Sequence, residues 1–281
     1  MMLAVPAPGL TEAYPLREDA IDQFRRDGFI HLHRVVAPET LRRYADEITI
    51  KVLELNTMDL PLSQRSTYDK AFLQVANIWR QSNIVKELVF SRRLARIATE
   101  LLGSNGVRLY HDQALYKEPG GGVTPWHVDQ YYWPLASPAT VTAWIPLQDT
   151  PVEMGPLSFA SGSHRFPFLR DLSISDASEQ VIQEAMDRER YPYVERPFEL
   201  GDVSFHNGYT FHRAPPNRSR QARQVMTIIY MERDIKVSEP TNDQQRGDLE
   251  TWLPGTRIGA TPDGPLNPVL YETRDPSRAH V

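Results

Sequence analysis

"GVRLYHDQALYKEPG" (106–120) followed three residues later by "TPWHVDQYYWP" (124–134) decides how this chain is read. The first stretch is strand-like and runs into a turn rich in Gly and Pro. The second holds a histidine and an aspartate one residue apart, then a run of aromatics. Successive side chains of a strand point to opposite faces, so residues i and i+2 share one. If 125–130 is extended, His127 and Asp129 project into the same space, beside Tyr131, Tyr132 and Trp133. A lone H-x-D is a weak motif, because most such pairs are solvated or bond to each other. Its meaning depends on structural context.

Upstream of Gly103 the chain is helical in texture. "REDAIDQFRRD" (17–27) has apolar residues at Ala20, Ile21 and Phe24 and stops at Gly28. "FIHLHRVV" (29–36) alternates as a strand, with His31 and His33 on one face. Helices are expected at 38–56, over "SNIVKELVF" (82–90), and over "SRRLARIATELLG" from Ser91 to Gly103. Downstream, strands dominate: "ATVTAWIPLQD" (139–149) puts Thr140, Thr142 and Trp144 on one face. "GPLSFASGSH", "VSFHNGYTFHRA" and "RQVMTIIYME" continue the series, with a helical insertion over 177–190. The segment after about Ile235 has weak periodicity and is expected to pack on the body. The fold class is therefore α+β and mainly β: a double-stranded β-helix of the jelly-roll or cupin type, braced by N-terminal helices. One domain is expected over 1–281. It comprises a helical part at about 17–103, a core at about 104–233, and a C-terminal segment over 234–281.

Composition excludes several classes of function. The 281 residues are 41% hydrophobic and 24% charged, ordinary for a soluble globular protein. A net charge of −5 without basic blocks argues against nucleic acid as partner. There is no cysteine, so disulfides and thiolate metal sites are excluded. Any metal must be held by His and carboxylate, which suits Fe(II) or Mn(II). No apolar run approaches the ~18 residues of a membrane span, and the N-terminus lacks the pattern of a signal peptide. A cytoplasmic monomer or homodimer acting on a small molecule is expected.

The 2-His-1-carboxylate arrangement needs one more histidine and leaves positions open for other ligands. The remaining histidines are His31, His33, His111, His164, His206, His212 and His280. His212 and His206, six apart in one hairpin-like segment, are the rivals, and the residues alone leave both open. Arg223 opens an otherwise apolar strand. It is either an exposed strand end or an inward clamp for a carboxylate, which its planar fork suits. A metal triad with an inward Arg describes a site for 2-oxoglutarate.

The order of H-x-D, "EMGPLSFASGSH", "GDVSFHNGYTFHRAPPNRS" and "RQVMTIIYM" resembles the phytanoyl-CoA dioxygenase family. "LYKEPG" and the tail "TWLPGTRIGATPDGPLNPVLYE" extend the resemblance from about Phe24 to Tyr271. It implies Fe(II), 2-oxoglutarate as cosubstrate and O2, with release of succinate and CO2. It implies His212 rather than His206 as the third ligand to iron beside His127 and Asp129, and Arg223 as the clamp on the cosubstrate's distal carboxylate. Trp144 and Thr142 on one strand, Gln113, and Gln74 in "FLQVANIW" are implied as cosubstrate neighbours. Halogenating relatives replace the carboxylate of H-x-D, and this chain keeps Asp129. Tyr131, Tyr132 and Trp133 are candidates for the substrate wall. No basic cluster marks a coenzyme A site, so hydroxylation of an unactivated C–H in a smaller organic metabolite is expected. The alternatives are desaturation, epoxidation or cyclisation, or a non-catalytic metal-binding jelly roll. Loops 57–70 and 165–195, with the segment after Ile235, are expected to cover the pocket mouth.

Overall fold

The structure, a computed structural model, describes residues 9–273; His280, one of the histidines weighed above, lies outside them. Seven α-helices and eleven strands follow in chain order among the described residues. The helical part comprises α1 (Glu18–Asp27), β1 (Phe29–Leu32), α2 (Pro38–Leu55), α3 (Thr67–Ala71), β2 (Leu73–Ala76), α4 (Asn83–Val89) and α5 (Arg92–Leu102). The strand-rich part comprises β3 (Gly106–Tyr116), β4 (Thr124–His127), β5 (Thr140–Pro146), β6 (Ser158–Ala160), α6 (Asp176–Arg188), β7 (Tyr193–Glu195), β8 (Val203–Asn207), β9 (His212–Ala214) and β10 (Val225–Glu232). The C-terminal segment adds α7 (Asp243–Trp252) and β11 (Val269–Glu272). No helix among the described residues is long and apolar enough to cross a membrane.

The helices stop and start where local chemistry dictates. Gly28 and Gly103 end α1 and α5 in the left-handed conformation that glycine adopts without steric penalty. The Ser91 hydroxyl accepts from Leu94 N and caps α5. Leu94, Ile97, Ala98 and Leu101 then form one buried stripe, which packs on the sheet of β3, β5 and β10.

Two antiparallel sheets make the jelly roll, without closing into a barrel. The larger has the order β1-β8-β5-β10-β3-β11, with β2 also pairing β3; the smaller has the order β4-β9-β6-β7. β10 lies in the middle of the large sheet. Its residues Val225–Met231 are all buried, as a strand covered on both faces requires. Register then lines up side chains across the inner face. His111, Ile229, Thr142 and His206 form one cross-strand row, and Gln113, Thr227 and Trp144 form part of the next. Arg223 has the parity of Val225 and Thr227, and so enters the same space.

The strand carrying the H-x-D departs from expectation. β4 ends at His127, and Asp129–Tyr132 is a turn of 3-10 helix, not a continued strand. Val128 is still extended, at φ −121° and ψ 135°, so the i, i+2 relation between His127 and Asp129 survives the change. The C-terminal segment is also more ordered than its weak periodicity suggests, since it supplies α7 and β11. In the inserted helix α6, Ile182, Ala185 and Met186 form the buried face, while Val181 is exposed.

Buried polar groups pin the corner where Arg223 enters. Lys117 and Arg223 exchange backbone hydrogen bonds, each 2.9 Å. The Lys117 ammonium is fully buried, with no carboxylate partner among the described residues. It donates to the carbonyls of Gly122, Ala214 and Pro215 and to Thr124 Oγ1, over 2.6–3.3 Å. Asn217, in the "PPNRS" turn, donates to the carbonyls of Lys117 and Gln221. Gly155 meets the same corner with φ +68°, and a Cβ there would sit 2.2 Å from Pro215 O. Its own carbonyl accepts from Arg223 Nη1. Left-handed strain costs of order 1–3 kcal/mol, and overpacking adds a similar amount. Gly155→Ala should therefore lower the unfolding free energy by about 2–4 kcal/mol in urea denaturation. Gly259→Ala, also at positive φ but with open space around its Cβ position, should cost the smaller amount due to strain alone.

Candidate metal centre and its cavity

β4 and β9 pair so that His127 lies directly opposite His212. Their rings stand 4.1 Å apart between centroids. Each Nδ1 lies against a backbone carbonyl two residues earlier in the chain: His127 on Pro125 O at 2.7 Å, His212 on Thr210 O at 2.9 Å. A carbonyl only accepts, so both Nδ1 atoms carry the proton, and both Nε2 atoms keep a free lone pair. These Nε2 atoms approach Asp129 Oδ1 at 3.7 and 3.6 Å. The three candidate ligand atoms lie within 4.8 Å of one another. Hydrogen bonding at the far nitrogen is how metal-ligating histidines are oriented.

The large sheet supports the carboxylate from behind. His206 Nε2 donates to Asp129 Oδ2 at 3.0 Å, and Thr142 Oγ1 donates to the same oxygen at 2.9 Å. Thr142 and His206 are register partners on β5 and β8, so one cross-strand pair fixes the carboxylate's rotation. Oδ2 is thereby occupied, and Oδ1 faces the two imidazoles. His206, the rival for third ligand, thus stands behind Asp129.

Electrostatics matches that division of labour. Burial holds the His127 and His212 imidazoles below their ordinary pKa, further helped for His212 by its neighbour His127. A lowered pKa favours the neutral imidazole that metal binding requires. Burial alone would raise Asp129. The imidazoles of His212, His206 and His127 outweigh it and hold the carboxyl well below its usual range. A single anionic oxygen facing two neutral nitrogens fits a hard divalent ion such as Fe(II).

A cavity of about 180 Å³ opens beside this cluster, lined on one side by Arg223, Trp144, Thr142, Gln113 and Gln74. Arg223 is 1% exposed. Its Nη1 donates to Gly155 O, its Nε has no partner, and the guanidinium lies 5.4 Å from the Trp144 ring centroid. No carboxylate pairs with it among the described residues. Burial pushes its pKa down to about 9. A buried cation without an anion is costly, and a negative group in this cavity would offset that cost. Gln74 Nε2 donates to Gln113 Oε1, and Tyr68 OH donates to Gln74 Oε1 at 2.7 Å.

Tyr132 and Trp133 line the cavity, but Tyr131 does not. The reason is the 3-10 turn, which rotates successive side chains by about a third of a turn. Tyr131 instead faces an outer groove near Phe168 and Leu169. From the expected covering segments, Tyr68 and Ile174 reach the cavity, and Thr67 Oγ1 bonds Asp176 Oδ1 across them at 3.0 Å. Asp248 and Trp252 of α7 also line it. Sequence reading missed both, because α7 carries no apolar stripe that would announce a helix.

The phytanoyl-CoA dioxygenase (PhyH) family matches residues 24–225. A phytanoyl-CoA dioxygenase domain-containing protein 1 homolog of Caenorhabditis elegans is 22% identical over 296 residues, covering 87% of this chain and 98% of the relative. Among solved structures, the non-heme alpha ketoglutarate dependent carbocyclase SnoK from nogalamycin biosynthesis superposes with a TM-score of 0.75 and 28% identity. That match covers 91% of this chain and 96% of SnoK. The epimerase SnoN of the same biosynthesis, in complex with Fe3+, alpha ketoglutarate and nogalamycin RO, gives 0.74 and 26%, over 90% and 98%. The family match spans most of the chain, and the fold and the His-His-Asp cluster accord with it: this protein belongs to the phytanoyl-CoA dioxygenase family, and is an enzyme of the 2-oxoglutarate-dependent non-haem iron oxygenases.

Proposed function

We propose that the protein hydroxylates an unactivated C–H of a small organic metabolite not attached to coenzyme A, with iron held by His127, Asp129 and His212. The observation that carries this reading is the buried, anion-free Arg223 in the same cavity as the three ligand atoms. A metal that merely braces a fold needs no such receptor. 2-Oxoglutarate has the matching chemistry: a keto acid end for the metal and a distal carboxylate for the guanidinium. When bound, iron would activate O2, with the oxidative decarboxylation of 2-oxoglutarate to succinate and CO2 and the hydroxylation of the C–H bond each supplying two of the four electrons that O2 takes up.

The chain's own residues position and enclose. Trp144 and Thr142 bound the cosubstrate space, and Gln113 and Gln74 give it a polar edge. Tyr132 and Trp133 form the substrate wall. Among the described residues Arg223 is the only Lys or Arg side chain on the cavity wall, and it is taken by the cosubstrate. The phosphates of coenzyme A would thus find no cation there. The helical part, the core and the C-terminal segment act as one catalytic domain, since Gln74, Asp129 and Asp248 reach the cavity from all three.

Three outcomes test the assignment. Arg223→Ala should raise the apparent KM for 2-oxoglutarate by tens-fold or more while iron stays bound, since losing one partner of a buried charge pair costs ~2–5 kcal/mol. Unchanged cosubstrate affinity would remove the clamp. His212→Ala should lose stoichiometric iron in anaerobic titration. His206→Ala should keep one iron per chain with affinity weakened ~10–100-fold, the usual scale for an orienting partner. The reverse ranking of those two variants would reassign the third ligand.

A further inference from the structure

With iron on Asp129 and a carboxylate on Arg223, one charged side chain on the cavity wall is left without a counter-charge: Asp248 of α7. Its carboxylate accepts from Tyr110 OH at 2.8 Å and from the Trp252 side chain. Neither donor is charged, and no Lys, Arg or His pairs with it among the described residues. His111, the histidine nearest to Trp252 at 5.0 Å between ring centroids, is kept neutral by burial, which drives its pKa to about 4. The same cavity wall carries the rings of Tyr68, Tyr132, Trp133 and Trp252. A carboxylate beside several electron-rich ring faces is the arrangement that receives an ammonium group, through ion pairing and cation–π attraction together.

We propose that Asp248 determines specificity, and that the primary substrate carries a cationic amine or quaternary ammonium group seated between Asp248 and these rings. This rests on the proposed reading of the site, which it deepens by naming the substrate class. An anionic substrate would be repelled by Asp248. A neutral one would leave a half-buried carboxylate further desolvated without compensation. Burial pushes the Asp248 carboxyl up to about 7, so a cation seated beside it would hold it ionised at neutral pH. A purely structural role, holding Tyr110 and Trp252 in place, predicts something different. Asn at 248 keeps an acceptor for both donors and removes only the charge.

The test is calorimetric titration of the anaerobic protein loaded with Fe(II) and 2-oxoglutarate, using benzyltrimethylammonium, benzyl alcohol and phenylmethanesulfonate as probes. The wild type should bind one ammonium per chain at least tenfold more tightly than the alcohol, and the sulfonate least. Asp248→Asn should weaken the ammonium at least tenfold and leave the alcohol unchanged. Tyr110→Phe, which removes a latch and keeps the charge, should retain the ammonium preference. Equal ammonium affinity in Asp248→Asn, or no preference over the alcohol in the wild type, overturns the proposal. So does loss of the preference in Tyr110→Phe alone. Failure to take up iron or cosubstrate would strike the reading of the site instead, and the same titration on metal-free protein still decides the role of Asp248.

Discussion

The hydrogen bonds of His206 Nε2 and Thr142 Oγ1 to a single oxygen of Asp129 hold the centre together. They tie the two sheets to each other at one carboxylate. The small sheet contributes His127 and His212 as a directly opposed pair. The large sheet contributes the two donors that set how the carboxylate is turned. With Oδ2 occupied, Oδ1 is the oxygen presented to the imidazole nitrogens. A carboxylate free to rotate would offer both oxygens and take up more of the metal's coordination sphere. The site's capacity to bind a metal through one face and leave others open thus follows from strand register, not from the three ligand residues alone.

A second constraint is the burial of cations without anions at one corner. Lys117 is satisfied entirely by neutral oxygens. Arg223, its bridge partner two residues before β10, has among the described residues one carbonyl acceptor for its guanidinium. The contrast separates structure from function: the lysine closes a corner, while the arginine stays hungry for charge. Gly155 links the two, because only a residue without Cβ can bring its carbonyl to Arg223 while passing Pro215 so closely.

Much of this was legible in the chain itself, for reasons of parity and punctuation. Glycines at 28 and 103 and the serine at 91 marked helix ends by local chemistry that tertiary packing had no cause to override. The i, i+2 rule brought His127 and Asp129 together although the strand stops between them, because one extended residue is enough to preserve it. Of the three aromatics proposed for the substrate wall, Tyr131 falls outside the cavity, because a 3-10 turn sets the angular step there. The choice between His206 and His212 was beyond residue patterns. It depends on which strand of which sheet each occupies, a pairing that is non-local by nature. Asp248 and Trp252 were invisible for another reason: α7 is a polar helix with no buried residue, and its value lies in where the C-terminal segment docks.

The most direct measurement is a crystal structure of the protein with a redox-inert divalent ion in place of Fe(II), and with 2-oxoglutarate, grown without oxygen. The account predicts one ion on His127 Nε2, His212 Nε2 and Asp129 Oδ1, with Oδ2 still held by His206 and Thr142 and the cosubstrate's distal carboxylate on Arg223. An ion bound by His206, or by both oxygens of Asp129, or a cosubstrate carboxylate that ignores Arg223, would contradict it.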